Sequence, residues 1–117
     1  MSEKTLKMTM LLDFYGELLT ERQRTCLGMY YNEDMSLAEI AEILGISRQG
    51  VHDIILRGSA ALSETEEKTG LVGRFAEQRG IMRSMDAQLR ELLLKTDGEA
   101  REIALSLIGE LERIKDG

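Results

Sequence analysis

Residues 36–62 read SLAEIAEILGISRQGVHDIILRGSAAL, and this stretch decides the fold. Two short apolar-periodic segments are joined by Gly45-Ile46-Ser47. Leu37, Ile40, Ala41 and Leu44 fall on one face of the first segment, and Val51, Ile54 and Ile55 on one face of the second. Ala41 is small enough for a second helix to cross closely. Gly45 can adopt the left-handed backbone that ends a helix. Ser36 and Ser47 are N-cap residues, and Ser36 with Glu39 forms a capping box. All of these signals stand in register for a helix-turn-helix, where an ordinary helical hairpin would need only the apolar periodicity.

The surrounding sequence reads as helix throughout. Its 117 residues suit one modest domain with a single core, and the chain contains no proline. Leu6, Met10, Leu11, Phe14 and Leu18 recur at helical spacing and predict a packed first helix. Thr20-Glu21-Arg22-Gln23 is a second capping box, opening a helix that carries Cys26, Leu27, Tyr30 and Tyr31. Four helices are therefore expected in the first half. From Ser63 onward, Leu71, Phe75, Gln78, Met82, Met85, Leu89 and Leu92 alternate in steps of four and three, a heptad seam that calls for another helix. Gly70 and Gly73 predict a bend or break in that long helix, since each glycine costs about 1 kcal/mol against alanine. After Thr96-Asp97-Gly98-Glu99, a last helix presents Ile103, Leu107, Leu111 and Ile114, with Ala100 and Ala104 beside them. The expected architecture is all-α. A sigma-factor-like helix-turn-helix domain (residues 1–62) is followed by a helical C-terminal hairpin or coiled-coil-like extension (residues 63–117). The extension packs on that domain or on a dimer partner, and a homodimer is expected because symmetric pairing is the commonest way to bury such a seam.

The chemistry available is limited. Cys26 is the only cysteine and His52 the only histidine, which rules out an internal disulfide and leaves zinc without a ligand set. No nucleophile–base pair and no phosphate-cradling glycine loop is present, so we expect no enzyme, cofactor or metal. No apolar run reaches the roughly 20 residues of a membrane span, and the N-terminus lacks a signal-peptide pattern. A cytoplasmic protein is expected.

The net charge of −6 has the wrong sign for binding nucleic acid by bulk electrostatics. Two basic sets are nevertheless candidates. In the motif, Ser47, Arg48, Gln49, His52 and Arg57 occupy the second helix. Arginine can pair with guanine and glutamine with adenine in a major groove, and Arg57 could hold a phosphate. On the long helix, Lys68, Arg79, Arg83 and Arg90 would form a stripe if the helix were continuous. Such a stripe either follows a phosphate backbone or supplies flanking ion pairs beside the seam.

The stretch LTERQRTCLGMYYNEDMSLAEIAEILGISRQGVHDII resembles the promoter-reading C-terminal region of bacterial sigma factors, a resemblance that covers Leu19 to about Leu62. The chain as a whole is closer to the YlxM family of small bacterial helix-turn-helix proteins. EKTLKMTMLLDFYGELLTERQR, MSLAEIAEILGISRQGVHDII and EEKTGLVGRF resemble that family in order and spacing, from about Glu3 to Met85. This resemblance implies an all-helical cytoplasmic regulatory protein associated with the signal recognition particle, contacting its protein GTPase and its RNA. The sigma-like resemblance implies instead a DNA-binding regulator reading duplex DNA with the helix that starts at Arg48. Ser47, Arg48, Gln49, His52, Asp53 and Leu56 would then meet base edges. Asp53 repels a phosphate backbone and Leu56 offers no polar group, and both departures weigh against direct promoter reading.

Overall fold

Local capping chemistry sets where the helices begin and end. The structure, a computed structural model, describes residues 2–116. Six α-helices follow one another: α1 (Glu3–Tyr15), α2 (Glu21–Leu27), α3 (Leu37–Leu44), α4 (Arg48–Thr69), α5 (Leu71–Lys95) and α6 (Gly98–Asp116). There is no strand among the described residues. A 3-10 turn (Gly16–Leu18) follows α1, and a wide π turn (Gly28–Asn32) extends α2. Both expected capping boxes are present: the Thr20 hydroxyl accepts from Gln23 N at 3.1 Å, and the Ser36 hydroxyl accepts from Glu39 N at 3.1 Å.

The chain divides into two compact units, residues 1–72 and 73–117. The first is a four-helix domain in which α4 packs against α1, α2 and α3. Leu11, Cys26, Leu27, Ile40, Val51 and Leu62 form its fully buried centre. Removing each large aliphatic side chain from water contributes roughly 1.5–3 kcal/mol. Cys26 is the small core residue its position suggested. Burial pushes its thiol pKa up, against an opposing pull from Arg22.

The first helix is rotated from the face its spacing predicted, with Leu11 of the predicted set in the core and Met10 packed against it. Met8, Leu11, Leu12 and Tyr15 are buried, whereas Leu6, Phe14 and Leu18 are exposed. Helix α1 carries two apolar stripes, and the buried one brings Tyr15 to polar partners on α4. Its hydroxyl donates to Glu66 Oε1 at 2.6 Å and lies 2.6 Å from Thr69 Oγ1. A buried tyrosine settles where its hydroxyl is satisfied.

Helix α4 runs unbroken past Leu62, so the division expected after that residue falls inside a helix. The break comes at Gly70, which takes left-handed angles (φ 64°, ψ 15°) and donates its N–H to the Glu66 carbonyl. The Glu66 carboxylate also accepts from Val72 N at 3.1 Å, capping the start of α5. Val72 belongs to the core of the first unit.

The second unit is a hairpin of α5 and α6. Arg79 donates to the Lys115 carbonyl at 3.2 Å, Arg90 to Glu112 Oε1 at 3.4 Å, and Arg101 to the Leu93 carbonyl. Its contact face is rotated from the predicted seam. Ala104, Ile108 and Leu111 are the buried side chains of α6, while Ile103, Leu107 and Ile114 are exposed. On α5, Met82, Asp86, Leu89 and Leu93 are half-buried, and Gln78, Met85 and Leu92 are exposed. Both helices carry apolar residues on more than one face, and two helices in contact can cover only one face of each. Asp86 sits inward because Arg90 Nε reaches its Oδ2 at 2.9 Å, and this hydrogen bond holds the Asp86 carboxyl below the usual range.

Candidate nucleic-acid interface

The geometry of the motif starts at Gly45. Its left-handed angles (φ 68°, ψ 33°) end α3, and Ile46 N donates back to the Ala41 carbonyl at 3.1 Å. The chain then turns within two residues into Ser47, whose hydroxyl accepts from Gly50 N at 2.9 Å and starts α4. Ile40 and Ala41 on α3 and Val51 and Ile55 on α4 are buried, with Leu37, Leu44, Ile46 and Ile54 packed against them. This packing fixes the crossing of the two helices and turns the rest of α4's first turns outward.

Ser47, Arg48, Gln49, His52 and Arg57 are all exposed. Four of them, Ser47, Arg48, Gln49 and His52, line one cleft together with Ser36, Leu37 and Ala38. The N-termini of α3 and α4 thus open onto the same concavity. Each N-terminus carries partial positive charge, which suits an anion there. The cleft residues contributed by α3 were not among the candidates from sequence, although the Ser36 capping box marked where that helix begins.

Arg57 stands apart from the cleft. Nine residues separate it from Arg48, which at about 100° and 1.5 Å per residue puts the two on opposite flanks of α4, roughly 13 Å apart along its axis. Gln49 and Asp53 lie between these flanks, and Gln49 Nε2 donates to Asp53 Oδ1 at 3.1 Å. Asp53 therefore takes one of the two N–H donors of the Gln49 amide and ties down its orientation, while adenine recognition calls on one N–H and the amide oxygen together. Leu56, 55% exposed, continues the same outward face.

The long-helix set is not one stripe. Its premise of a continuous helix fails at Gly70, which leaves Lys68 on α4 and Arg79, Arg83 and Arg90 on α5. Lys68 pairs with Glu64 at 3.1 Å, and Arg90 pairs with Asp86 and Glu112. Arg79 bonds the Lys115 carbonyl and lies 4.8 Å from the centre of the Phe75 ring. Arg83 is the member of the set without an ion pair or hydrogen bond among the described residues. Ion pairs thus engage two of these four cations, Lys68 and Arg90, and a carbonyl with a ring face engages Arg79.

Among the described residues, no group of three or more His, Cys, Asp and Glu side chains is placed to hold a metal ion. No helix there is long and apolar enough to cross a membrane.

Residues 2–101 match the UPF0122 family model, described as "helix-turn-helix protein, YlxM / p13 like". A UPF0122 protein of Acetivibrio thermocellus is 56% identical over 77 residues, which is 66% of this chain and 66% of that relative's length. One from Thermoanaerobacter sp. strain X514 is 51% identical over 86 residues, covering 74% of this chain and 71% of the relative. One from Bacillus cereus strain AH187 is 45% identical over 93 residues, covering 80% and 81%.

Proposed function

The chain belongs to the UPF0122 family of YlxM / p13-like helix-turn-helix proteins, and from that premise we propose a non-catalytic, nucleic-acid-binding regulatory protein. In this reading it is a cytoplasmic accessory of the signal recognition particle, contacting the particle's protein GTPase and its RNA, and acting as a homodimer. Ser47, Arg48, Gln49, His52 and Arg57 form its nucleic-acid surface, with Lys68, Arg79, Arg83 and Arg90 in a secondary role. The observation that carries the reading is the cleft where Arg48, Gln49 and His52 meet the N-termini of α3 and α4. Its phosphate-binding character is supported by helix polarity and by Arg48. The Gln49–Asp53 bond and the exposed Leu56 favour backbone contact over base reading, and hence a structured RNA held beside a protein partner.

The second reading, a transcriptional regulator on duplex DNA, is favoured by Arg48 and Gln49, which are exposed at the start of the second motif helix. Retention of the chain on immobilised structured RNA and on duplex DNA at moderate salt separates the two. Preferential retention on RNA, weakened by Arg48→Ala with Arg57→Ala more than by neutralising Arg79 and Arg83, is the expected result. Retention on DNA alone would establish the second reading, and retention on neither would leave the protein partner as the whole of the function.

A further inference from the structure

The α5–α6 hairpin leaves more of its large apolar side chains exposed than fully buried. Ala104, Ile108 and Leu111 are its buried apolar residues, while eight large apolar side chains of the same unit remain 42–87% exposed. Part of that surface is organised. Met85 and Leu89 on α5 and Leu107, Leu111 and Ile114 on α6 line one open groove of about 360 Å³, whose polar lining residues are Gln88 and Glu110. An apolar groove rimmed by polar residues suits an interaction site.

We propose that a second copy of the hairpin fills this groove, seated antiparallel about a two-fold axis that passes through it, so that four helices form one bundle. The inference rests on the homodimer reading above and adds to it a face and an orientation. Self-complementarity singles out a second copy. The Arg101–Leu93 and Arg79–Lys115 bonds fix the hairpin's register, and they set Glu110 about one turn from the level of Gln88. A two-fold axis between those levels brings the Gln88 amide of each copy to the level of the partner copy's Glu110 carboxylate on the diagonally opposite helix, a donor and an acceptor both turned into the groove. The ends of the hairpin agree with the antiparallel choice. Residues 91–102 at the loop end carry two cations and four anions, net −2. Residues 73–84 and 110–116 at the open end carry five and four, net +1. Antiparallel seating joins unlike ends, which favours that register over the reverse.

Sedimentation equilibrium on the full chain tests the face. Leu107 lines the groove and is already 42% exposed, so Leu107→Glu leaves the hairpin itself intact. Leu94, 87% exposed and outside the groove, gives the control Leu94→Glu. Wild type and Leu94→Glu should be dimers, and Leu107→Glu should associate at least tenfold more weakly with unchanged helical circular dichroism. A monomeric wild type at high micromolar concentration overturns the homodimer reading itself. A dimeric wild type whose Leu107→Glu variant also dimerises as tightly leaves that reading standing and overturns the groove. Oxidative cross-linking tests the orientation, with the fully buried Cys26 as the only native thiol. Gln88→Cys should give a disulfide-linked dimer, because two copies of residue 88 lie close to the axis. Lys95→Cys should not, because antiparallel seating separates its two copies by roughly 25 Å at 1.5 Å per residue. A cross-link through Lys95→Cys, or none through Gln88→Cys, would overturn the antiparallel seating.

Discussion

Gly58 on α4 meets Leu27 so closely that a Cβ added at the glycine would stand 2.8 Å from Leu27 Cδ1. Leu27 is fully buried, which leaves its methyl groups nowhere to retreat. The absence of a side chain at residue 58 is what lets α2 and α4 approach, and α4 is the helix on which the rest of the first unit is assembled. Gly58→Ala should therefore lower stability even though alanine is the better helix former. Overpacking costs about 1–3 kcal/mol and outweighs a propensity gain of about 1 kcal/mol. A urea titration should give a lower midpoint with an unchanged slope.

Val51 is fully buried between the motif helices. Val51→Asp would place a charge there without a partner, a cost of several kcal/mol on a small domain. Loss of cooperative thermal unfolding, followed by circular dichroism, is the expected outcome. A melt like that of wild type would contradict the packing of α3 on α4.

Tyr15→Phe removes the hydroxyl that bonds Glu66 Oε1 while leaving the ring in the core. Hydrogen bonds to charged groups contribute about 1.5–3 kcal/mol, and the lower end is expected because Glu66 is only partly buried. Because the same carboxylate caps Val72 N, amide exchange at Val72 should accelerate as well. A destabilisation confined to α1 would mean that Tyr15 and the cap at the start of α5 act independently.

Ser36→Ala deletes the N-cap of α3 and should cost about 1 kcal/mol in chemical denaturation. The reciprocal half of the box titrates. Hydrogen bonds from Ser36, first its backbone N–H and then its hydroxyl, hold the Glu39 carboxyl below its ordinary value of 4.5. A carboxylate whose pKa is depressed by folding stabilises the fold above its unfolded pKa, and that contribution is lost as pH falls through the folded value. The stability difference between wild type and Glu39→Ala should be constant near neutral pH and shrink below about pH 4.5. A difference that does not change with pH would mean that the anion adds nothing beyond a neutral cap.

What could be read from sequence was what neighbours along the chain determine. Ser36 with Glu39, Thr20 with Gln23, Ser47 before Arg48, and the glycines at 45 and 70 each act within one turn, so their residue types sufficed. The motif core was also legible, because α3 and the start of α4 each have one apolar face. Faces chosen by distant contacts were not. Helix α1 offers Leu6, Met10 and Phe14 on one side and Met8, Leu12 and Tyr15 on another, and the choice depends on Glu66, 51 residues beyond Tyr15. Helices α5 and α6 pose the same ambiguity, and Arg79 and Asp86 turned inward where Gln78 and Met85 had been expected. At the candidate interface, the outward position of Arg48, Gln49 and His52 followed from the spacing. The share of the cleft built by α3, and the bond from Gln49 to Asp53, required the fold.

The position of His52 has a practical consequence. It is the only histidine in the chain, and it stands exposed in the cleft that Ser36 and Arg48 also line. Its carbon-bound ring protons give the molecule a built-in spectroscopic address. In a proton magnetic resonance spectrum of the unlabelled protein, every imidazole resonance comes from one residue at the candidate interface. Occupancy of that cleft can be followed from those lines alone, without isotopes, dyes or an added tag.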